Sequence, residues 1–228
     1  MTYFVWETRR RAETDVMAPH FAPTMKDHKV SFIAGRRFVQ PLPELEIRFR
    51  AERPYTLTDD LVIQKRRCLV HSDRLADTLR RAGVDGIDYH ACRLVNEADG
   101  TVFQTHKAAN LLDVIHCLDR ERSELEIDDE EPNEIWYIHR LQLFEDRLGD
   151  SLMFRLGERL NTVIVHARVK EAVERAGLTG PVFLPAEGYR EYPGFAFDNP
   201  RNVIGTHDLD PDGAIDRLDD GPGPDATE

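Results

Sequence analysis

Cysteine is scarce in this 228-residue chain: Cys68, Cys92 and Cys117 are odd in number and far apart. That excludes a disulfide framework and a zinc site closed by four cysteines, and it fits a reducing compartment. Long apolar runs are absent, since no stretch approaches the ~18 residues that span a bilayer. The N-terminal Met-Thr-Tyr-Phe-Val-Trp-Glu breaks into Arg9-Arg10-Arg11 without an apolar signal core, so a soluble, cytoplasmic protein is expected. The 14 glycines are scattered singly at turns and helix ends, which leaves no Walker or dinucleotide loop to cradle a phosphate. Basic residues are also short, 30 against 42 acids for a net charge of −12. A general nucleic-acid or membrane-surface binder, which needs clustered Lys and Arg, is therefore disfavoured.

What is present suffices for a core. Apolar residues make up 41% of the chain, and a chain of this size hides roughly 70% of its unfolded surface. The acidity is concentrated in two segments. Residues 208–228 hold eight acids and one base, and residues 121–134 hold the same balance, so the remainder is close to neutral. The C-terminal segment mixes aspartates with Gly and Pro and has too few large apolar residues to offset its ordering entropy, which predicts a mobile tail. Asp128 to Asn133, followed at once by strand-like sequence, predicts an exposed acidic loop fixed at both ends. A solvated, solubilising surface accounts for either segment, and a partner-binding role is the sharper reading.

Along the chain, Tyr3-Phe4-Val5-Trp6 suits a first strand, and a Pro-rich stretch follows in which Leu45, Ile47 and Phe49 alternate with charged residues as in a half-buried strand. Leu61 to Ile63 forms a short element of open type. Leu69-Val70-His71 leads into the N-cap Ser72 and a helix with Leu75, Leu79 and Ala82, closed by Gly83. Ile87 to Val95, the turn at Glu97–Gly100 and Val102-Phe103 predict a hairpin. Ala108 to Asp119 fits helix or strand. Ile135 to Phe144, apolar on both faces, reads as a central strand buried on two sides. Leu152 to Leu156, a turn at Gly157, Val163 to Val165, a second helix ending at Gly177, and Pro181 to Leu184 complete the ordered part. Val70-His71, helix, Gly83 parallels Val165-His166, helix, Gly177 after one deletion, with an offset of 94 in the helices. The fold class expected is α+β, a mostly antiparallel or mixed sheet with a few short helices and a repeated strand-helix-strand unit. The expected organisation is an N-terminal strand and Pro-rich segment at 1–58, an α+β domain at 59–204 and an acidic tail at 205–228.

Candidate chemistry is sparse. His71-Ser72-Asp73 holds the residue types of a hydrolase triad, but adjacent side chains diverge, and capping explains Ser72 and Asp73 better. His90 and Cys92 share a strand face, and His116 with Cys117 would complete a zinc tetrahedron only if the fold brought them together; a small buried thiol and a satisfied histidine are the simpler reading. The paired carboxylates Asp59-Asp60 and Asp128 to Glu131 read as solvated charge, with no apolar cluster beside them to raise a pKa. The aromatic group Tyr189, Tyr192, Phe195 and Phe197 reads as a loop packed on the core. No catalytic residue, metal or cofactor is assigned.

Leu69 to Leu75, Leu118-Asp119-Arg120-Glu121-Arg122-Ser123-Glu124, Ile135 to Leu143, Met153 to Leu156 before Val163 to His166, and Ala176 to Gly180 with Phe183 and Pro185 resemble, in order and spacing, a bacterial immunity-protein family of polymorphic or secreted toxin systems. This is the Myxococcus-type immunity domain, formerly a domain of unknown function. The resemblance covers roughly residues 60 to 187. It implies a non-enzymatic protein that binds and neutralises a cognate toxin, with Asp119, Arg122 and Ser123 as a turn or cap network. A toxin partner with a basic surface, contacted by Glu124, Glu126, Asp128, Asp129, Glu130 and Glu131, is the expectation, with no nucleic-acid or membrane partner. A hydrolase using His90, His116 or His139 with a neighbouring carboxylate is the alternative, and a regulatory adaptor without a toxin is a third class.

Overall fold

The computed structural model describes residues 2–9, 12, 14–16, 19–22, 31–63, 68–128 and 133–191. The expected acidic tail, Tyr192, Phe195 and Phe197 of the aromatic group, and the loop residues Asp129, Glu130 and Glu131 lie outside them. In chain order β1 (Tyr3–Thr8) is followed by β2 (His20–Phe21), β3 (Leu45–Phe49), β4 (Asp60–Ile63) and β5 (Cys68–Ser72). Then come α1 (Asp73–Ala82), β6 (Ile87–Asn96), β7 (Val102–Phe103), β8 (His106–Leu111) and β9 (Val114–Ile115). A ribbon of β10 (Glu124–Ile127) and β11 (Ile135–Arg140) precedes β12 (Met153–Leu156), β13 (Arg159–His166), α2 (Ala167–Arg175) and β14 (Pro181–Pro185). The α+β expectation holds, and the ambiguous stretch from Ala108 resolves into the strands β8 and β9.

One sheet runs β14-β1-β13-β12-β9 and the other β2-β3-β6-β8-β5-β4, with β7 paired to β6. The β3–β6 and β9–β12 pairs are parallel. The two helices pack together against one face of each sheet. Their inward residues Leu75, Leu79, Val169 and Val173 share a core with Trp6, Val163 and Val165 of the first sheet and Leu69, Ala109 and Leu111 of the second. The opposite face of the first sheet (Val5, Phe154, Ile164, Leu184) is covered by the ribbon and its flanks through Ile135, Ile138 and Leu141. The opposite face of the second (Ile47, Leu61, Val70, Leu94) is covered by the Pro-rich segment through Val16 and Phe32. Both sheets are thus buried on two sides, which is why β4, β5 and β12 show no exposed position.

The cap signals act as expected. Ser72 is extended (φ −63, ψ 159), and its Oγ accepts from the Leu75 N–H at 3.1 Å, satisfying one orphan donor of α1. Gly83, at φ +98, turns the chain out of α1 while its N–H donates to the Arg80 carbonyl and the Val84 N–H to Leu79.

The structure also revises the repeat. β4-β5-α1-β6, with β8 between β5 and β6, has the same topology as β12-β13-α2-β14, with β1 between β13 and β14. Leu69 faces Ala109, which faces Tyr89; Val163 faces Trp6, which faces Phe183. Ser72 and His166 are the two N-caps, so the offset of 94 holds from Leu69/Val163 through Gly83/Gly177 to Tyr89/Phe183 without any deletion. His71 therefore corresponds to Val165, and not to His166 as the sequence alignment has it.

Two sequence expectations are corrected. Ile135 to Phe144 is not a sheet centre: the strand stops at Arg140 and lies in a peripheral ribbon with Trp136 54% exposed. Two register shifts leave Trp136 and His139 as extra residues, so Ile135 and Ile138, three apart, both turn inward. Irregular alternation imitates a two-faced apolar strand. Asp59 and Asp60 are likewise not solvated, with exposures of 7% and 0%, because they open β4 where the two sheets meet.

Candidate partner-binding surface

The ribbon is held as a rigid ridge. Behind it Leu125, Ile135 and Ile138 pack on Cys117, Leu141 and Leu184. Along its far edge the Glu191 N–H donates to the Ile138 carbonyl at 2.9 Å, Tyr137 Oη donates to the Glu191 carbonyl, and Arg159 joins the Glu191 carboxylate to the Trp136 carbonyl. Burial, then Glu191, pushes the Tyr137 phenol up to about 12, so it stays a donor at neutral pH. At the ribbon's base Asp119 Oδ1 accepts from the backbone N–H groups of Glu121 and Arg122, and Arg122 Nε donates to Oδ2 at 2.5 Å. That Arg122 bond holds the Asp119 carboxyl below its usual range. Ser123 Oγ exchanges hydrogen bonds with the backbone of Gln142. The Leu-Asp-Arg-Glu-Arg-Ser run is therefore a turn network that anchors the ribbon.

The outer side carries the predicted acids Glu124 and Glu126, both exposed, with Asp128 half-buried at the turn, where its N–H donates to the Glu134 carbonyl. Glu124 pairs with Arg140 at 2.9 Å and Glu126 lies 3.6 Å from His139. Beside these acids stands an apolar side chain that sequence reasoning did not single out, Trp136, while Ile127, paired with Ile135 at the turn end of the ribbon, is 37% exposed. The register shift is what turns Trp136 outward. Without it, strict alternation would have to place either Ile135 or Ile138 on the wet face. Nothing in Ile135-Trp136-Tyr137-Ile138 signals this, because bulges are not legible in composition.

The other nominated residues are dispersed. His90 lies against Phe32 and Phe38 with Nε2 buried, and burial lowers its pKa. Cys92 donates to the His106 carbonyl, and Cys117 sits in the core behind the ribbon. His116 is exposed, 3.6 Å from Glu158. Of the hydrolase candidates, His116 and His139 each face one carboxylate, on separate parts of the surface. Among the described residues no three His, Cys, Asp or Glu are grouped to hold a metal ion.

A second polar cluster was missed. Asp60 Oδ2 accepts from Trp6 Nε1 at 2.7 Å and Thr8 Oγ1 at 2.5 Å. Its Oδ1 lies 3.6 Å from His71 Nε2, and His71 Nδ1 meets Tyr89 Oη at 3.0 Å. Ser72 Oγ, besides capping α1, donates to Asp59 Oδ1 at 2.6 Å, and Asp59 Oδ2 accepts from the Thr179 N–H. Burial pushes Asp60 up to about 7 and His71 down to about 3. With Asp60 and His71 at 0% exposure, this cluster ties β4 and β5 of one sheet to β1 of the other.

Among the described residues no helix is long and apolar enough to cross a membrane. No curated protein matches the chain. The sequence profile of the immunity protein family (Imm11) matches residues 6–188, which takes in the second half of β1 and the Pro-rich segment as well as the repeated units and the ribbon. The chain belongs to the immunity protein family (Imm11).

Proposed function

We propose that the protein confers immunity by stoichiometric binding of a cognate toxin, without turnover, and that the outer side of the β10–β11 ribbon is the contact. The observation that carries this reading is the exposed Trp136, turned outward by a strand irregularity next to Glu124 and Glu126 on a ridge whose back is fixed. Large aromatic anchors beside charges are what set complex lifetime and encounter rate respectively, and an acidic ridge suits a toxin with a basic surface such as a nuclease. Glu124, Glu126 and Asp128, continued by Asp129 to Glu131, supply the steering charge, while Trp136 supplies the apolar contact. Membership of an immunity family supports a protein partner, and a −12 charge disfavours a nucleic acid.

The test uses the toxin encoded beside this gene. Trp136→Ala is expected to weaken binding ~30-fold or more, chiefly through faster dissociation. Glu124→Lys with Glu126→Lys is expected to slow association and flatten its dependence on salt. Unchanged affinity, rate and salt dependence in both variants, with folding intact, would remove the ribbon from the contact. Protection by a catalytic amount of the protein would remove the stoichiometric mechanism.

A further inference from the structure

The exposed side of the helix pair holds a cavity of about 430 Å³ lined by Arg81 of α1 and by Arg168, Glu171 and Arg175 of α2, floored by Thr78 and Ala172. Arg81 and Arg175 occupy equivalent positions in the two repeated units, so the cavity straddles their junction. Neighbouring charges on these helices are paired: Arg74 with Asp59, Arg80 with Asp77, Lys170 with Glu174. Among the described residues the three cavity arginines have no carboxylate partner. Arg81 reaches only Thr78 Oγ1, at 3.5 Å, and the Arg168 guanidinium lies beside Gly83. Helix dipoles favour Arg81 and Arg175 in the last turns of α1 and α2 but not Arg168 in the first turn of α2, and most of the fifteen guanidinium donors find no acceptor among the described residues. Three cations against one carboxylate, in a chain that is otherwise acidic, call for an anion.

We propose that the acidic segment 208–228 of this same chain docks in this groove through its aspartates. Its eight acids and one base complement the groove's three arginines, whose planar forks bind carboxylates in a bidentate manner. Reach is not limiting. The residues between Glu191 and Asp208 extend to roughly 60 Å, against a radius of gyration of about 16 Å for a body of this size. Tethering gives an effective concentration on the order of millimolar, enough for a contact built of individually weak surface pairs. The inference stands independently of the toxin reading, since the groove and the ribbon are separate surfaces.

A photoreactive benzoylphenylalanine placed at the exposed, groove-lining Glu171 of the full chain tests it by mass spectrometry of the cross-linked peptides. The expected result is a cross-link to the peptide spanning 208–228 whose yield does not depend on protein concentration. Arg81→Glu with Arg175→Glu, or Asp216→Asn with Asp219→Asn and Asp220→Asn, should each lower the yield about fivefold or more, as should 0.5 M salt. Circular dichroism confirms that both variants fold. No cross-link, a cross-link to another part of the chain, a concentration-dependent cross-link to a second copy, or a yield indifferent to both sets of substitutions would overturn the proposal.

Discussion

The buried pair of Asp60 and His71 should be silent in the wild-type pH profile and loud when either member is removed. Asp60, pushed by burial from 3.8 to about 7, keeps in the folded state a proton that the unfolded chain has released. Taken alone, its contribution is fully present below pH 3.8 and is lost as pH rises to 7. His71, lowered by burial from 6.5 to about 3, stays neutral in the fold while the unfolded chain binds a proton. Taken alone, its contribution is present above pH 6.5 and is lost as pH falls. Between pH 3.8 and 6.5 the pair holds one proton folded and one proton unfolded, so the two slopes cancel. Asp59, His106, Arg155 and Tyr89 face the pair and are the same in every variant. Asp60→Asn preserves an acceptor for Trp6 and Thr8 and exposes the histidine slope. At roughly 1.4 kcal/mol per pH unit, it should cost on the order of 3 kcal/mol of additional stability on going from pH 6.5 to 4. His71→Val exposes the opposite slope, with a loss of similar size as pH rises from 4 to 7. Urea midpoints at pH 4, 5, 6 and 7, converted with a common m-value and read as differences from wild type, measure both. If the two variants run parallel to wild type within about 1 kcal/mol, the opposed-titration reasoning is wrong.

Two stability measurements probe the local devices. Ser72→Ala removes the α1 cap and the Asp59 partner together, and should lower stability by about 2 kcal/mol, seen as a fall of roughly 4–8 °C in Tm. Gly180, at φ +101, would place a Cβ 2.5 Å from the Asp60 carbonyl oxygen, so Gly180→Ala should cost more than about 2 kcal/mol. Gly149→Ala, at φ +53 with nothing within 4 Å, should cost only about 1 kcal/mol; equal losses would mean that the contact with β4 is not what matters.

The sequence carried the elements whose signals are local. Ser72 and Gly83 bound α1 as caps do, Leu45, Ile47 and Phe49 alternate as a half-buried strand, and the turn at Glu97–Gly100 makes the hairpin. It carried the outer acids of the ribbon for the same reason, since Glu124 and Glu126 are simply exposed. What it did not carry depends on register and on contacts far apart in the chain. Trp136 is turned outward by an extra residue in β11 that no composition reveals. Asp60 looks like an ordinary surface acid until Trp6 and Thr8, more than fifty positions away, supply its donors. The Pro-rich segment was expected to pack on the body, but which of its residues do so was not legible outside the Leu45, Ile47, Phe49 alternation: Val16 and Phe32, which follow no period, close one face of the second sheet.

The two units of like topology supply a control for the buried cluster. By register Asp60, His71 and Tyr89 of the first unit occupy the positions of Met153, Val165 and Phe183 in the second. The same backbone arrangement therefore accepts an apolar set at these three places, and the polar set is not a requirement of the topology. The triple variant Asp60→Met, His71→Val, Tyr89→Phe should fold cooperatively, because a buried polar network replaced as a whole by apolar groups is often neutral in stability. Its remaining cost is the Trp6 indole N–H and the Thr8 hydroxyl left without their acceptor, about 1–3 kcal/mol each if they find no water. Asp60→Met alone should be worse than the triple variant, since it also leaves the buried His71 Nε2, 3.6 Å from Asp60 Oδ1 in the wild type, facing a thioether. A double variant, Asp60→Met with Trp6→Phe, should recover part of the loss by removing one stranded donor. If the triple variant unfolds while Asp60→Met alone is tolerated, the register equivalence does not extend to the environment of these side chains, and the cluster is a condition of the fold rather than a substitution within it.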